Sequence, residues 1–268
     1  MNPKRIALIG CGGLGREIAT RIQSGDAGNY ILCGIHTDRR ELTNTCSKEF
    51  RCTAYHSKEM LLKSQPDFII EAAGSTALKE ILESAIKQHI IVIPLSIGVF
   101  SESEYWKYIQ KLAAEHRTHV YLPSGAIGGF DLMGAAALDG DLSVSIHTEK
   151  PPKSLADAPF LKDQALPDDR SNLIFSGNAV EAIKNFPKNV NVAVAVGLAT
   201  IGADKLSVTI TSNPKLNANR HTIELDGTFG HADIQISAKP SSNVQSSRLA
   251  AYSVISLLQR LDSWIGFI

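Results

Sequence analysis

A chain of 268 residues with 27 basic and 27 acidic side chains carries no formal net charge, which removes the electrostatic reason to expect nucleic acid or an anionic membrane as partner. Hydrophobic residues make up 44% and charged residues 20%, the make-up of a packed globular protein of one large or two modest domains. No apolar run approaches the ~20 residues that a membrane helix needs. The first residues run straight into an apolar segment followed by glycines and charges, a pattern that argues against a signal peptide. Cys11, Cys33, Cys46 and Cys52 form no CxxC pair, so reduced thiols in a cytoplasmic protein, and no metal site, are expected.

Short apolar runs at 5–9, 31–35, 68–71, 90–95 and 119–122, with a weaker one at 51–55, have the content of buried parallel strands. Between them Leu14, Ile18 and Ile22, and then Leu78, Ile81, Leu82, Ala85 and Ile86, recur at helical spacing, and 105–116 supplies a further helix. This alternation predicts a doubly wound α/β sheet. After Pro123 the rhythm changes. A small-residue turn at 124–129 leads into a helix at 131–139. Strand-like runs follow at 142–148, 173–175, 206–211, 221–225 and 232–237, with helices at 179–186 and 191–200. The segment 151–170 holds four prolines and reads as a surface loop. The second part is thus predicted to be α+β with a mixed sheet. Residues 248–264 carry Leu249, Tyr252, Ile255, Leu258 and Leu261 at helical spacing, an amphipathic helix expected to pack on the first domain.

Gly10-Cys11-Gly12-Gly13-Leu14-Gly15 is a GxGxxG match. The pattern alone is weak, but here it follows a strand and opens a helix. Gly10 permits a tight turn, Gly12 lets the backbone approach a pyrophosphate, and Gly15 lets helix and strand pack closely. The first-turn N–H groups and the positive end of the helix dipole then face the phosphates. A Rossmann domain over 1–123, completed by the helix within 241–268, is expected. The Ala72-Ala73-Gly74 turn after the third long strand reads as another cofactor wall, with Ala73 leaving room for the dinucleotide. An acid should end the second strand if an adenosine 2′-hydroxyl is held. Instead the run enters His36-Thr37-Asp38-Arg39-Arg40. Asp38 lies just beyond the expected tip, while Thr37, Arg39 and Arg40 suit a 2′-phosphate. NAD and NADP both stay open.

From Pro123-Ser124-Gly125-Ala126-Ile127-Gly128-Gly129 onward the chain resembles the L-aspartate dehydrogenase family. The likeness continues through Lys150-Pro151-Pro152-Lys153-Ser154-Leu155, through 186–193, through Asn213-Pro214 and Asn219-Arg220-His221, and into the final helix. It covers nearly the whole chain. The resemblance implies a homodimer whose segment 124–240 serves substrate binding and oligomerisation. The implied reaction turns L-aspartate, NAD(P)⁺ and water into oxaloacetate, ammonia and NAD(P)H by way of iminoaspartate, which can feed NAD synthesis. It also implies that His221 is the catalytic histidine and that Ala126 and Asn191 touch the cofactor. The departure from the family is the tip of the second strand, where His36-Thr37 replaces an acid.

The residues themselves leave alternatives. Period-2 alternation puts Asn219, His221, Ile223 and Leu225 on one strand face, a position that suits a histidine facing a cleft between domains or a buried histidine satisfied by a neighbouring carbonyl. Imidazole, with an ordinary pKa near 6.5, can deprotonate the attacking water and later protonate the leaving amine. Asn191 can hold the nicotinamide amide or simply cap a helix; Ala126 can line the site or belong to a tight interdomain turn. Lys150, Lys153 and Arg220 are candidate partners for the substrate carboxylates, though Arg220 falls on the outward face. A reductase of another imine or aldehyde, near dihydrodipicolinate reductase or homoserine dehydrogenase, and a non-catalytic NADP sensor are the competing readings.

Overall fold

The computed structural model describes residues 2–162, 165–187, 190–239 and 247–266. Lys188 and Asn189, part of the family likeness at 186–193, and the expected domain edge at 240–241 lie outside the described residues.

In chain order the elements are β1 (Lys4–Ile9), α1 (Gly13–Gln23), β2 (Tyr30–His36), α2 (Arg40–Glu49), β3 (Thr53–Ala54), α3 (Lys58–Lys63), β4 (Phe68–Glu71), α4 (Ser75–Lys87), β5 (Ile91–Pro94), α5 (Ser103–Glu115), α6 (Phe130–Ala136), β6 (Ser143–Lys150), β7 (Asn172–Asn178), α7 (Ala179–Asn185), α8 (Asn191–Ala199), β8 (Ser207–Ser212), β9 (Asn219–Gly227), β10 (Gly230–Ala238) and α9 (Arg248–Asp262). The chain divides into two compact units, one formed by 1–99, 106–125 and 250–268, the other by 100–105 and 126–249. No helix among the described residues is long and apolar enough to cross a membrane.

The first unit is the expected doubly wound sheet. Its strands run in the order β3-β2-β1-β4-β5, and all are parallel. β4 and β1 are buried almost throughout, as a sheet covered on both faces requires. The expected strand at 119–122 is reduced to a single parallel bridge between Val92 and Val120. Helices α2 and α3 escaped the periodicity reading because they are short and polar outside. α2 buries only Thr43, Cys46 and Ser47, and α3 only Leu61 and Leu62. The final helix α9 belongs to the same core: Ala251, Val254, Ile255, Leu257 and Leu258 pack with Ile6, Leu8, Ile18, Ile22 and Tyr30. Polar ties pin it, with Tyr30 donating to the Leu258 carbonyl at 3.2 Å and the Asn29 N–H to Asp262 at 2.9 Å.

The second unit is the expected mixed sheet, in the order β10-β9-β6-β8-β7. Only the central pair β6/β8 is parallel; the others are antiparallel. Strict alternation in β6, β8 and β9 sends Val144, Ile146, Val208, Ile210, Ile223 and Leu225 to one buried face. α8 is nearly apolar all round, and its Ala193–Gly197 stretch is buried accordingly. The expected loop at 151–170 contains two short 3₁₀ turns, Pro152–Ser154 and Pro159–Leu161.

Candidate active site

At the carboxyl end of the first sheet the strand order reverses beside β1, the place where open α/β sheets leave a crevice for ligands. Residues 10–15 leave β1 there. Gly10 adopts φ +91°, and a Cβ on it would stand 2.6 Å from the Ala72 carbonyl, so only glycine fits. A Cβ on Gly15 would collide with the Gly10 carbonyl oxygen. Over Gly12 the situation is opposite: a Cβ would meet no atom within 4 Å. Gly12 is also the N-cap of α1, with no side chain capping the first-turn N–H groups. The turn is therefore closed against the protein and open at one point above the helix terminus, which fits the pyrophosphate of a dinucleotide. Gly13 and Leu14 form the first turn of α1, and Leu14 packs against the core and steadies the cradle from below.

The neighbouring turn after β4 is built by a carboxylate that the sequence reading passed over. Glu71 is wholly buried. Its Oε1 accepts from the N–H groups of Ala73 and Gly74, each at 2.7 Å, and from Ser96 Oγ at 3.0 Å, while Oε2 accepts from the Ser96 N–H at 3.1 Å. Burial pushes its pKa up, and these four donors pull it back down. One side chain thus holds the loops leaving both β4 and β5. Because the Ala73 N–H is spent on Glu71, what Ala73 offers a ligand is room rather than a donor.

The tip of β2 carries His36, which is buried, with Nδ1 2.9 Å from the Tyr55 carbonyl. Asp38 is 79% exposed and lies 4.0 Å from Lys58 Nζ. Arg39 is the N-cap residue of α2 and Arg40 its first residue, both exposed.

The second unit holds the titratable cluster. β6 and β9 run antiparallel with Thr148 opposite His221, and Thr148 Oγ1 lies 3.0 Å from His221 Nδ1. His221 is 2% exposed, and the neighbour of its Nδ1 is a hydroxyl where a carbonyl was expected for a buried ring. Burial, and secondarily the charge of Lys150, push its pKa down to about 3. Lys150, two residues beyond Thr148, is itself 3% exposed, and burial pushes its pKa down to about 8. Arg220 turns to the other face, pairing with Glu149 at 3.1 Å, and Lys153 is exposed. Asn191 is the first residue of α8, and the N-cap position belongs to Val190. Ala126 is partly buried and follows Gly125, at φ +66°.

Comparison with known proteins agrees with this layout. Residues 131–261 match the aspartate dehydrogenase C-terminal family, and residues 10–123 match the homoserine dehydrogenase NAD-binding domain. An L-aspartate dehydrogenase of Methanosarcina mazei is 35% identical over 267 residues, covering 96% of each chain. That of Methanosarcina barkeri is 34% identical over 265 residues, covering 97% of each. The chain belongs to the L-aspartate dehydrogenase family. Its members are NAD(P)-dependent oxidoreductases, and the cradle at 10–15 lies within the NAD-binding match. The crystal structure of aspartate dehydrogenase from Thermotoga maritima superposes with a TM-score of 0.73 at 26% identity, covering 98% of this chain and 99% of that one.

Proposed function

We propose that the chain catalyses the oxidative deamination of L-aspartate: aspartate, NAD(P)⁺ and water give oxaloacetate, ammonia, NAD(P)H and a proton. The observation that carries this reading is the pairing of a buried neutral imidazole, His221, with a buried lysine on one face of the second sheet, in a chain whose family acts on this amino acid. In our reading residues 1–123 with the C-terminal helix hold the dinucleotide, and residues 124–240 bind substrate and build a homodimer. Leu138, Leu173 and Phe229, exposed on the second unit, supply apolar surface for such a contact. Light scattering after gel filtration tests the dimer.

When bound, the nicotinamide supplies an acceptor for the hydride leaving the substrate Cα. Gly10, Gly12, Gly13, Leu14 and Gly15 would hold the pyrophosphate, with Ala73, Ala126 and Asn191 along the rest of the dinucleotide. The chain's own chemistry is proton handling. With its pKa near 3, His221 is neutral throughout the physiological range and begins as a base. When Nδ1 carries the ring proton, Thr148 Oγ1 accepts it, and Nε2 keeps the lone pair that takes a proton from water attacking the imine carbon of iminoaspartate. An imidazolium beside Lys150 would be costly in the unliganded protein. A dicarboxylate alongside offsets that cost, because opposite charge favours both cations. The same proton then goes to the departing amine. Release of iminoaspartate before water adds would give the chain a place in NAD synthesis.

The test is steady-state kinetics with L-aspartate and a panel of amino acids, run with NAD⁺ and NADP⁺ and followed by cofactor absorbance. Selective oxidation of aspartate supports the reading. Preference for another carbonyl or imine in the reverse direction, or dinucleotide binding without turnover, would replace it.

A further inference from the structure

The turns that leave β1, β4 and β5 stand side by side, because those strands are neighbours in the first sheet. They are also tied to one another. The Ala72 N–H donates to the Ile9 carbonyl at 2.8 Å, and the Leu95 N–H to the Glu71 carbonyl at 2.9 Å. The Ala72 carbonyl and the Ala73 nitrogen lie against Gly10, where an added Cβ would come within 2.6 and 2.8 Å of them. One buried side chain serves both outer turns: the Glu71 carboxylate takes the N–H groups of Ala73, Gly74 and Ser96 and the hydroxyl of Ser96. Gly74, at φ +139°, is the N-cap of α4 without a capping side chain, and a Cβ there would meet no atom within 4 Å. The rim that Glu71 holds is thus open on its outer side, as the space over Gly12 is.

The set of donors fixes the chemical form of this side chain. Three of the four partners are backbone N–H groups, which only donate. An amide would turn hydrogens of its own toward N–H groups whichever way it is flipped, and a protonated acid would have only the Ser96 hydroxyl to receive its proton. An ionised carboxylate accepts all four. Every partner is neutral, and among the described residues no cation faces the carboxylate. The four bonds and the N-terminus of α4 sustain the charge without cancelling it. A wholly buried anion acts over several ångströms more strongly than a surface charge does. In a doubly wound fold the half that includes β4 and β5 takes the nicotinamide mononucleotide, since the half that includes β1 and β2 takes the adenosine. The nicotinamide ring is a cation when oxidised and neutral when reduced.

We infer that Glu71 is a positioning residue of the dinucleotide site: it holds the turns after β4 and β5 against the glycine turn, and its negative charge favours the oxidised cofactor over the reduced one. A neutral side chain could join two loops. Only an anion also tells a nicotinamide cation from its uncharged reduced form. The inference rests on NAD(P) dependence and not on aspartate as substrate, so it stands or falls apart from the reading of His221.

The experiment is calorimetric titration of the full-length protein with NAD⁺ and NADH, with NADP⁺ and NADPH, and with ADP-ribose, which carries the pyrophosphate but no nicotinamide. In Glu71→Gln the ratio of reduced to oxidised Kd should fall by about 3–10-fold, while ADP-ribose binding stays within about twofold of wild type. Glu71→Asp keeps the charge and is too short to serve both turns. Both dinucleotides should then weaken together by about 3–10-fold, with their ratio within about twofold of wild type. An unmoved ratio in Glu71→Gln, with or without a lower Tm, would make Glu71 a purely structural tie and overturn the inference. An equal loss of ADP-ribose would overturn it too, because the glycine turn itself would then have collapsed. If Glu71→Gln does not fold, Glu71→Asp decides: unchanged dinucleotide binding, or a ratio that falls although the charge is kept, overturns the inference.

Discussion

The glycine turn of the first unit and the buried polar side chains of the second sheet are built by opposite means. The turn works by omission: side chains are missing at Gly10, Gly12 and Gly15, and backbone N–H groups at a helix end face the open space. The second sheet works by commission, with a cation, a hydroxyl and an imidazole placed in a buried face. Omission is local, so six consecutive residues encode it. Commission is not, since Lys150, Ser212 and His221 come from three strands and meet only through sheet register.

The largest expected effect lies on the second region. His221→Ala removes the proposed base and should lower kcat by about 10²–10⁴-fold while dinucleotide affinity, measured by fluorescence quenching, stays within about threefold. Equal kcat would take the imidazole out of the reaction and leave these buried side chains a structural feature. On the first region a pair of substitutions separates fold from binding. In Gly15→Ala the new Cβ meets the Gly10 carbonyl, which is backbone and cannot step aside, so stability falls by about 1–3 kcal/mol and dinucleotide binding falls with it. In Gly12→Ala the Cβ meets no protein atom; Tm should barely move while dinucleotide affinity drops on the order of tenfold or more. If Gly12→Ala bound dinucleotide normally, the open space would not be the phosphate's.

How much could be read in advance follows the same division. The cradle, the strand–helix rhythm and the period-2 faces of β6, β8 and β9 were legible because each is a pattern in adjacent residues. Lys150, Lys153 and Arg220 were three candidate cations that the sequence could not rank. That Lys150 is buried while Arg220 pairs with Glu149 follows from register, which is non-local. Glu71 was missed for a related reason: an acid closing an apolar strand reads as a strand end, and its four donors come from two loops. The strand expected at 119–122 failed because an apolar run states a preference for burial, not a hydrogen-bonding partner. The proposed catalytic role of His221 leans on the family likeness, since alternation alone says only that His221 points inward.

Acidity probes the cost of the second region. His221 has its pKa near 3 in the folded protein and near 6.5 when unfolded, so between those values the unfolded chain binds more protons. Stability therefore holds above about pH 6.5 and is lost as pH falls below it. Lys150, protonated across that range, is the lesser cause of the depressed pKa after burial and so extends the loss to lower pH. In urea melts between about pH 6.5 and 5, above most carboxylate titrations, His221→Gln should flatten the decline. A slope identical to wild type would mean that the imidazole is more hydrated in solution than its surroundings indicate.

The smallest effect concerns which dinucleotide the first region prefers, and it depends on the edge of the cradle. The tip of β2 presents His36, a buried ring bound to a carbonyl, where a ribose-binding acid would otherwise stand. Asp38, the nearest carboxylate in sequence, is 79% exposed and has Lys58 beside it. Arg39 and Arg40 sit exposed at the start of α2, where a guanidinium can fork onto a 2′-phosphate but gains nothing from a 2′-hydroxyl. Exposed pairs of this kind contribute little each, so replacing both arginines by serine should raise KM for NADP⁺ by about 3–10-fold. For NAD⁺, which lacks the phosphate, the change should stay below about twofold. Equal shifts for the two cofactors would mean that the arginines only steer anions from a distance. Falling ionic strength would then enlarge both shifts together, whereas a direct contact keeps them apart.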